Sequence, residues 1–248
     1  VISFGKTVEE ASGIAAKTLS EDLSKKLTTY SSQWSGYQEG LRDLSSGSSD
    51  GGTLFRASVA LLKSMEDKTH PGGFVASPTV PWGQHVSDSS SSPFLAKTIG
   101  QRPFVTGYHV VWPRDLYHMA TAFLALDDVK TARASLEYFK KIQLGSGTGD
   151  WNFGFRKRSK EGTFPQNCWA DGQVNWTGLQ MDEVAVPVLL ADRLVRLGHI
   201  RWADFWVLVR NAADFIEAFG PWSPQERWEE NFGASPSTLA SEIAALRG

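Results

Sequence analysis

The sequence Pro-Trp-Ser-Pro-Gln-Glu-Arg-Trp-Glu-Glu-Asn occupies residues 221–231 and holds three carboxylates, one arginine and two tryptophans. Pro221 and Pro224 cannot continue a helix, so this stretch is predicted to be a loop between helical segments. Crowding of Glu229 and Glu230, and burial against tryptophan, would raise the pKa of at least one carboxyl group. A carboxylic acid that is still protonated near neutral pH can act as a general acid. The alternative is a solvated acidic loop with a tryptophan packed beneath it.

Helical segments surround this loop in a regular order. The spacing of apolar residues predicts helices over about residues 53–66, 116–126, 129–142, 180–197, 202–219 and 235–248. The second and fourth are apolar on more than one face and should be inner helices, whereas the third and fifth are amphipathic and should be outer. Long loops over about residues 67–113, 144–178 and 220–234 each join an outer helix to an inner one. In antiparallel helical hairpins such loops share one end of the assembly, where they can line one cleft.

The N-terminal part has a different pattern. An apolar stripe of Leu19, Leu23, Leu27 and Tyr30 predicts that residues 6–44 form a long amphipathic helix or a helical linker. A Ser/Gly-rich break follows over residues 45–52. We therefore expect two regions, a helical linker segment over 1–47 and a helical domain over 48–248.

Composition narrows the range of partners. The chain has 248 residues, a net charge of −2 and ten tryptophans, and Cys168 is its single cysteine. The near-neutral charge argues against nucleic acid, and no apolar run reaches membrane-spanning length. Tryptophans beside carboxylates are typical of clefts in which flat rings stack on sugars, although some must belong to the core. The N-terminus lacks the features of a signal peptide, and its start at Val1 without methionine indicates a processed or cut chain.

The first long loop ends in Tyr108-His109-Val110-Val111-Trp112-Pro113-Arg114-Asp115. An arginine followed by an aspartate at the start of an inner helix can hydrogen-bond the vicinal hydroxyls of a sugar. The competing interpretation is structural: Asp115 caps the helix and Arg114 pairs with it.

The second long loop ends in Trp176-Thr177-Gly178-Leu179-Gln180-Met181-Asp182-Glu183. Gln180 can bind a hydroxyl group. Asp182 and Glu183 can be catalytic, or they can favour the positive end of the helix that begins here, and the helix interpretation is favoured for Glu183. The histidines show no metal-binding spacing, and neither a phosphate-binding glycine loop nor a nucleophile elbow is present.

Together the three loops resemble glycoside hydrolase family 15, the group of inverting enzymes that contains bacterial glucoamylases and glucodextranases. The resemblance covers about residues 54–246 and rests on three motifs in the same order. They are Trp-Pro-Arg-Asp at 112–115, the set Trp176, Gln180 and Asp182, and Glu-Arg-Trp-Glu-Glu at 226–230.

The resemblance implies a role for each matching residue. Glu229 would be the general acid, and Glu226 and Asp182 would support it. The other matching residues would bind substrate: Tyr108, Trp112, Arg114, Asp115, Trp176, Gln180, Trp228 and Glu230. Within this set, Arg114 and Asp115 would hold the 4- and 6-hydroxyls of the terminal glucose, and Glu230 would bind the sugar beyond the scissile bond.

The fold implied by the resemblance is all-α, an (α/α)6 toroid of twelve helices. The six helices predicted after the Gly-rich break would be the first half of this catalytic domain. Half a barrel should expose the apolar faces of its inner helices, so the second half is expected elsewhere. Inversion also needs a second carboxylate roughly 6.5–9.5 Å from the acid, and in the family this base lies on a later loop, beyond the end of this sequence.

The implied activity is inverting, exo-acting release of glucose from the non-reducing ends of α-1,4-glucans such as maltodextrin or starch. Three alternatives remain: an α-1,6-specific glucodextranase acting on dextran, a trehalase, and a sugar-binding half-barrel that lacks its general base. The family chemistry needs no cofactor, and the sequence gives no indication of the structural Ca²⁺ that such proteins can carry. Polymer-degrading members are often secreted, so an extracellular location is expected.

Overall fold

The computed structural model describes residues 1–78, 86–87, 104–105, 107–154 and 156–248. The chain divides into two compact units, Val1–Ala60 and Leu61–Gly248. The boundary predicted between residues 47 and 48 stays a prediction, because compactness alone does not define a functional domain. In the described part of the chain, no helix has the length and apolar character needed to cross a membrane.

Residues 6–44 contain two helices where the sequence predicted one helical stretch. Helix α1 spans Val8–Leu19 and helix α2 spans Leu23–Glu39. Asp22 ends the continuity, because its Oδ1 accepts the backbone N–H groups of Ser24 at 2.8 Å and Lys25 at 3.2 Å and so caps α2. Neither helix has a buried residue. Of the predicted apolar stripe, Leu19 lies on α1 and the other three residues lie on α2, and all four are exposed.

A short 3₁₀ turn at Ser45–Gly47 occupies the Gly/Ser-rich break, and six α-helices follow it in the described part of the chain. They are α3 (Thr53–Ser64), α4 (Pro113–Ala125), α5 (Val129–Ile142), α6 (Met181–Arg196), α7 (Trp202–Phe219) and α8 (Pro236–Arg247). The all-α prediction with six barrel helices is confirmed. Only the start of α4 differs by more than two residues from the sequence prediction, because Pro113 suits the first helical position.

Helix α6 is the centre of the second unit and packs against α4, α5, α7 and α8. Its residues from Met181 to Val188 are all buried, as expected for an inner helix. Helices α5 and α7 each bury one face, which agrees with their predicted outer positions. The expected exposure of apolar inner-helix faces is not found on α6, whose apolar residues are buried or half-buried. It occurs on α8, where Ile243 is 56% and Leu246 is 49% exposed.

In the described residues, three antiparallel strand pairs lie in the long loops. They are β1 (Val86–Ser87) with β2 (Phe104–Val105), β3 (Asp150–Asn152) with β4 (Lys157–Ser159), and β5 (Asn167–Cys168) with β6 (Val174–Trp176). In the last pair Asn167 lies opposite Trp176. An isolated bridge joins the first loop to the second, with Val111 N donating to Cys168 O at 2.8 Å and Cys168 N donating to Val111 O at 2.9 Å. Part of the predicted loop over 67–113 lies outside the described residues.

Candidate active site

A cleft of about 710 Å³ opens between the three long loops. Its lining residues are Gly107, Tyr108, Trp112, Arg114, Asp115, His118, Trp176, Arg227, Trp228 and Glu229. Seven of these ten were predicted from the sequence as site residues. His118 and Gly107 were not, because they lie outside the three motifs, and Arg227 was not, although it lies within the Glu-Arg-Trp-Glu-Glu motif at 226–230.

The first loop supplies one aromatic wall of the cleft. The bridge between Val111 and Cys168 holds the backbone just before Trp112, which is itself the residue that precedes α4. The rings of Tyr108 and Trp112 lie 5.6 Å apart between centroids and are tilted by 34°. Trp112 is 8% exposed and Tyr108 is 64% exposed. The wall therefore has a fixed inner ring and an outer ring open to solvent.

Arg114 lies at the floor of the cleft and is held by residues from the start of α6. Its Nε donates to Asp182 Oδ2 at 2.6 Å and its Nη2 donates to Asp182 Oδ1 at 3.1 Å, which is a bidentate pair. Nη2 also donates to Gln180 Oε1. Burial works against the charged guanidinium, but the hydrogen bonds to Asp182 and the charge of Glu183 offset it, so the pKa of Arg114 is raised. Arg114 therefore stays charged.

The helix-cap interpretation of Asp115 is wrong. Trp112 is the N-cap residue of α4, and Asp115 lies in the first turn, two residues after Pro113. Arg114 pairs with Asp182, not with Asp115. Burial raises the pKa of the Asp115 carboxyl, and the positive charge of Arg114 partly opposes this rise. Asp115 faces the cleft and remains available for a ligand hydroxyl.

Gln180 was predicted to bind a sugar hydroxyl, but it is not among the residues that line the cleft. It is 1% exposed, and both ends of its amide are used inside the protein. Its Oε1 accepts from Arg114, and its Nε2 donates to Glu229 Oε1 at 3.2 Å. Gln180 thus lies behind the cleft and connects the floor to the predicted acid.

The predicted acid loop is a closed turn. Ser223 and Gly233 exchange two backbone hydrogen bonds of 3.1 and 2.9 Å at its base. Glu226 N donates to Asn231 O at 2.9 Å, and Glu229 N donates to Glu226 O at 2.8 Å. The Glu226 side chain accepts the backbone N–H of Glu230 at 3.1 Å. These bonds give the exposed loop a defined shape.

Glu229 adopts a left-handed backbone conformation with φ of 65°. This region is costly for a residue with a Cβ atom, by roughly 1–3 kcal/mol, and such residues cluster at functional sites. The Glu229 side chain is directed by two glutamines, since its Oε1 accepts from Gln166 Nε2 as well as from Gln180 Nε2. Gln166 was missed in the sequence because it lies outside the three motifs, although it is in the second loop.

Residues 52–248 match the sequence profile described as glycosyl hydrolases family 15. The chain belongs to this family. It is also 37% identical, over 99% of its own length and 30% of the relative's, to a glucoamylase of Clostridium sp. (strain G0005). The crystal structure of a bacterial glucoamylase complexed with acarbose superposes with a TM-score of 0.74 and 38% identity, covering 98% of this chain and 31% of that one. The chain therefore spans under a third of the length of these relatives.

In this member of family 15, two carboxyl groups near the cleft, those of Glu183 and Glu226, have pKa values shifted in opposite directions. Glu183 is 2% exposed, and neither of its oxygens has a hydrogen-bond partner within the described residues. Burial raises the pKa of Glu183 well above its ordinary value, against the charge of Arg114, whose Nη1 lies 3.7 Å away. For Glu226 burial acts in the same direction, but backbone N–H groups outweigh it and the pKa is lowered. The raised pKa expected in the acid loop is therefore not found at Glu226.

The remaining predicted residues lie around the family 15 cleft without meeting in one place. Trp228 lines the cleft and is 70% exposed, with the Arg227 guanidinium 5.0 Å from its ring centre. Trp222 is 41% exposed, and its ring stacks on that of Phe232 with the centroids 6.1 Å apart. Glu230 is exposed and lies outside the residues that line the cleft. Asp182 contacts Arg114, so any support it gives to Glu229 is indirect.

No cluster of three or more His, Cys, Asp or Glu side chains suited to a metal ion occurs among the described residues of this chain. The charged residues that line the cleft are Arg114, Asp115, Arg227 and Glu229. Together with the aromatic rings, these groups can bind a neutral, hydroxyl-rich ligand and deliver a proton to it.

Proposed function

We propose that the protein containing this chain is an exo-acting glycoside hydrolase that releases glucose from the non-reducing ends of α-1,4-glucans, with inversion at the anomeric carbon. The observation that carries this proposal is the position of Glu229. Its carboxyl lines the cleft and has one oxygen held by two amides, close to Arg114, Asp115 and the aromatic walls. Similarity to the two glucoamylases supports the choice of α-1,4-linked glucose.

The terminal glucose would bind against Trp112 and Trp176, whose rings line the cleft. Asp115 would accept hydrogen bonds from hydroxyl groups at its closed end, and the bond between Arg114 and Asp182 would keep this floor in place. A buried floor below an open rim favours binding of a chain end over the middle of a chain. This arrangement supports exo action.

Glu229 would then protonate the glycosidic oxygen as the bond to the anomeric carbon breaks. Water would attack the opposite face of the sugar, and a second carboxylate would take its proton. Glu229 and Asp115 are the carboxylates that line the cleft in the described residues, and Asp115 is assigned to the sugar. The general base is therefore proposed to come from the part of the family fold that this chain does not span. Side chains and water complete the reaction without a cofactor.

The test is glucose release from maltotetraose, isomaltotetraose and trehalose. It uses the 248-residue chain and a chimera in which this chain replaces the aligned segment of the Clostridium glucoamylase. We expect the chimera to prefer maltotetraose and to release β-glucose, detected by polarimetry or NMR. Preference for isomaltotetraose or trehalose would favour the other linkages. Binding of acarbose without turnover by the chimera would indicate a sugar-binding protein and contradict the proposal.

Glu229→Gln in the active chimera gives the sharpest outcome. General acid catalysis contributes about 10²–10⁴-fold to rate, so kcat for maltotetraose should fall by about that factor while acarbose affinity changes little. The matched control is Glu217→Gln, which replaces an exposed glutamate on α7. Activity retained in Glu229→Gln would mean that another group donates the proton.

A further inference from the structure

The hydrogen bonds around Glu229 indicate which of its two carboxyl oxygens carries the proton. Its Oε1 accepts two N–H groups, one from Gln166 and one from Gln180. A carboxyl oxygen has two acceptor positions. With both occupied by N–H donors, Oε1 has no lone pair left for a proton.

The orientation of Gln180 is determined by its other neighbour. Arginine only donates hydrogen bonds, so the Gln180 atom that faces Arg114 Nη2 must be the carbonyl oxygen. Its NH₂ group must then face Glu229 and Gln225, whose Oε1 lies 3.4 Å from it. The charged floor of the cleft therefore fixes the direction of this amide donor.

Gln166 is fixed by packing. It is 2% exposed, and its Oε1 lies against Gly178. A Cβ atom added at Gly178 would come within 1.9 Å of that oxygen, so only glycine leaves room for this side-chain position. With its Oε1 against Gly178, Gln166 donates from Nε2 to Glu229 Oε1.

We infer that Gln166 and Gln180 are positioning residues that hold Glu229 Oε1, so that Oε2 carries the acidic proton and presents it to the cleft. This inference rests on the proposed function. In the reaction the Oε2–H bond breaks, the proton passes to the glycosidic oxygen, and the C–O bond electrons stay with the departing sugar. The negative charge left on the carboxylate is then shared with Oε1, where both amide donors stabilise it. Neutral amides do this without introducing a cation, whose positive charge would favour the ionised carboxylate over the protonated acid.

The kinetic test compares two substrates in the active chimera. Maltotetraose needs protonation of its leaving group, whereas α-glucosyl fluoride loses fluoride without an acid. Gln166→Met and Gln180→Met remove the donor and keep the side-chain length. Misplacement of a catalytic group by about 1 Å costs about 100-fold, so we expect kcat for maltotetraose to fall about 10- to 100-fold, with KM and fluoride hydrolysis changed less than about threefold.

Gln166→Met is the cleaner of the two variants, because Gln180→Met also removes an acceptor from Arg114. Gly178→Ala should reproduce the loss by pushing Gln166 away. Its matched control is Gly145→Ala, where a Cβ atom would meet nothing within 4 Å. Gln173→Met, at an exposed site between β5 and β6, controls for the chemical change itself.

Equal losses on both substrates would mean that the glutamines have only a structural role and would overturn the inference. A second measurement does not depend on turnover: a crystal structure of the Gln166→Met/Gln180→Met double variant of this chain. We expect the Glu229 carboxyl to be rotated, and an unchanged carboxyl would overturn the inference. Failure of the proposed function would look different, since the unmodified chimera would then not cleave maltotetraose.

Discussion

The floor of the cleft consists of buried charged side chains, whereas exposed aromatic side chains form its rim. At the floor, the side chains of Arg114, Asp182 and Glu183 are 14%, 9% and 2% exposed and contact one another. At the rim, Tyr108 and Trp228 are 64% and 70% exposed. Charges at the floor interact in a medium that screens them weakly, whereas those at the rim are screened by water. The floor should therefore contribute to stability and the rim mainly to ligand binding.

The largest effect should follow from breaking the floor. Arg114→Met removes the cation and leaves Asp182 and Glu183 buried without their partner. Loss of one partner of a buried ion pair costs about 3–5 kcal/mol, so we expect the free energy of unfolding to fall by that amount. Urea unfolding at pH 7, followed by tryptophan fluorescence, measures the change.

The matched control is Arg196→Met. Arg196 also binds an aspartate with a 2.7 Å contact, but its side chain is 65% exposed. No measurable change is expected, because exposed pairs contribute little. If both variants lost the same stability, burial would not be what separates the floor from the rim.

The sequence predicted the helices and loops of this site better than the contacts between their side chains. Helical periodicity and the two prolines of the acid loop located the helices and loops, because these signals are local. The partner of Arg114 was not predicted, since Asp182 lies at the start of another helix, α6, and spacing along the chain does not encode long-range pairs. The adjacent Asp115 seemed a suitable partner, but a helix directs neighbouring side chains to different faces.

Burial was the second property that the sequence could not supply. Glu183 matched the pattern of a helix-start acid, and it does lie in the first turn of α6. Its full burial behind Arg114 depends on how α6 packs with α4, α7 and α8. Residues 6–44 form two helices and not one continuous stretch for a local reason, because the Asp22 side chain caps the start of α2.

A smaller effect should separate the two aromatic positions. Trp112→Leu replaces a ring that is 8% exposed, and we expect a loss of roughly 2 kcal/mol, below the 3–5 kcal/mol typical of truncation to alanine. Trp228→Leu replaces a ring that is 70% exposed, and its effect on unfolding should stay within about 0.5 kcal/mol. In the active chimera Trp228→Leu should instead raise KM for maltotetraose. A large loss of stability in Trp228→Leu would place this residue with the floor.

The smallest effect concerns Glu242, a carboxyl buried near the floor. It is 4% exposed, and its Oε1 has no hydrogen-bond partner among the described residues. Burial and the charge of Asp182 raise the pKa of Glu242 from 4.5 to about 7. The folded state therefore favours the protonated form. Below pH 4.5 the group is protonated in both states, and as the pH rises towards 7 only the unfolded chain ionises freely, so stability is lost.

Glu242→Gln removes this dependence, because glutamine stays neutral. One unit of pKa corresponds to about 1.4 kcal/mol, and solvent screening reduces the full effect, so we expect a gain of roughly 1–2 kcal/mol at pH 8. At pH 4 no gain is expected, since the carboxyl is then neutral in both states. Urea unfolding of both proteins at the two pH values measures the difference. An equal difference in the free energy of unfolding at pH 4 and pH 8 would mean that the substitution acts through packing and not through the charge of Glu242. Glu242 would then belong with the charges of the rim, which water screens.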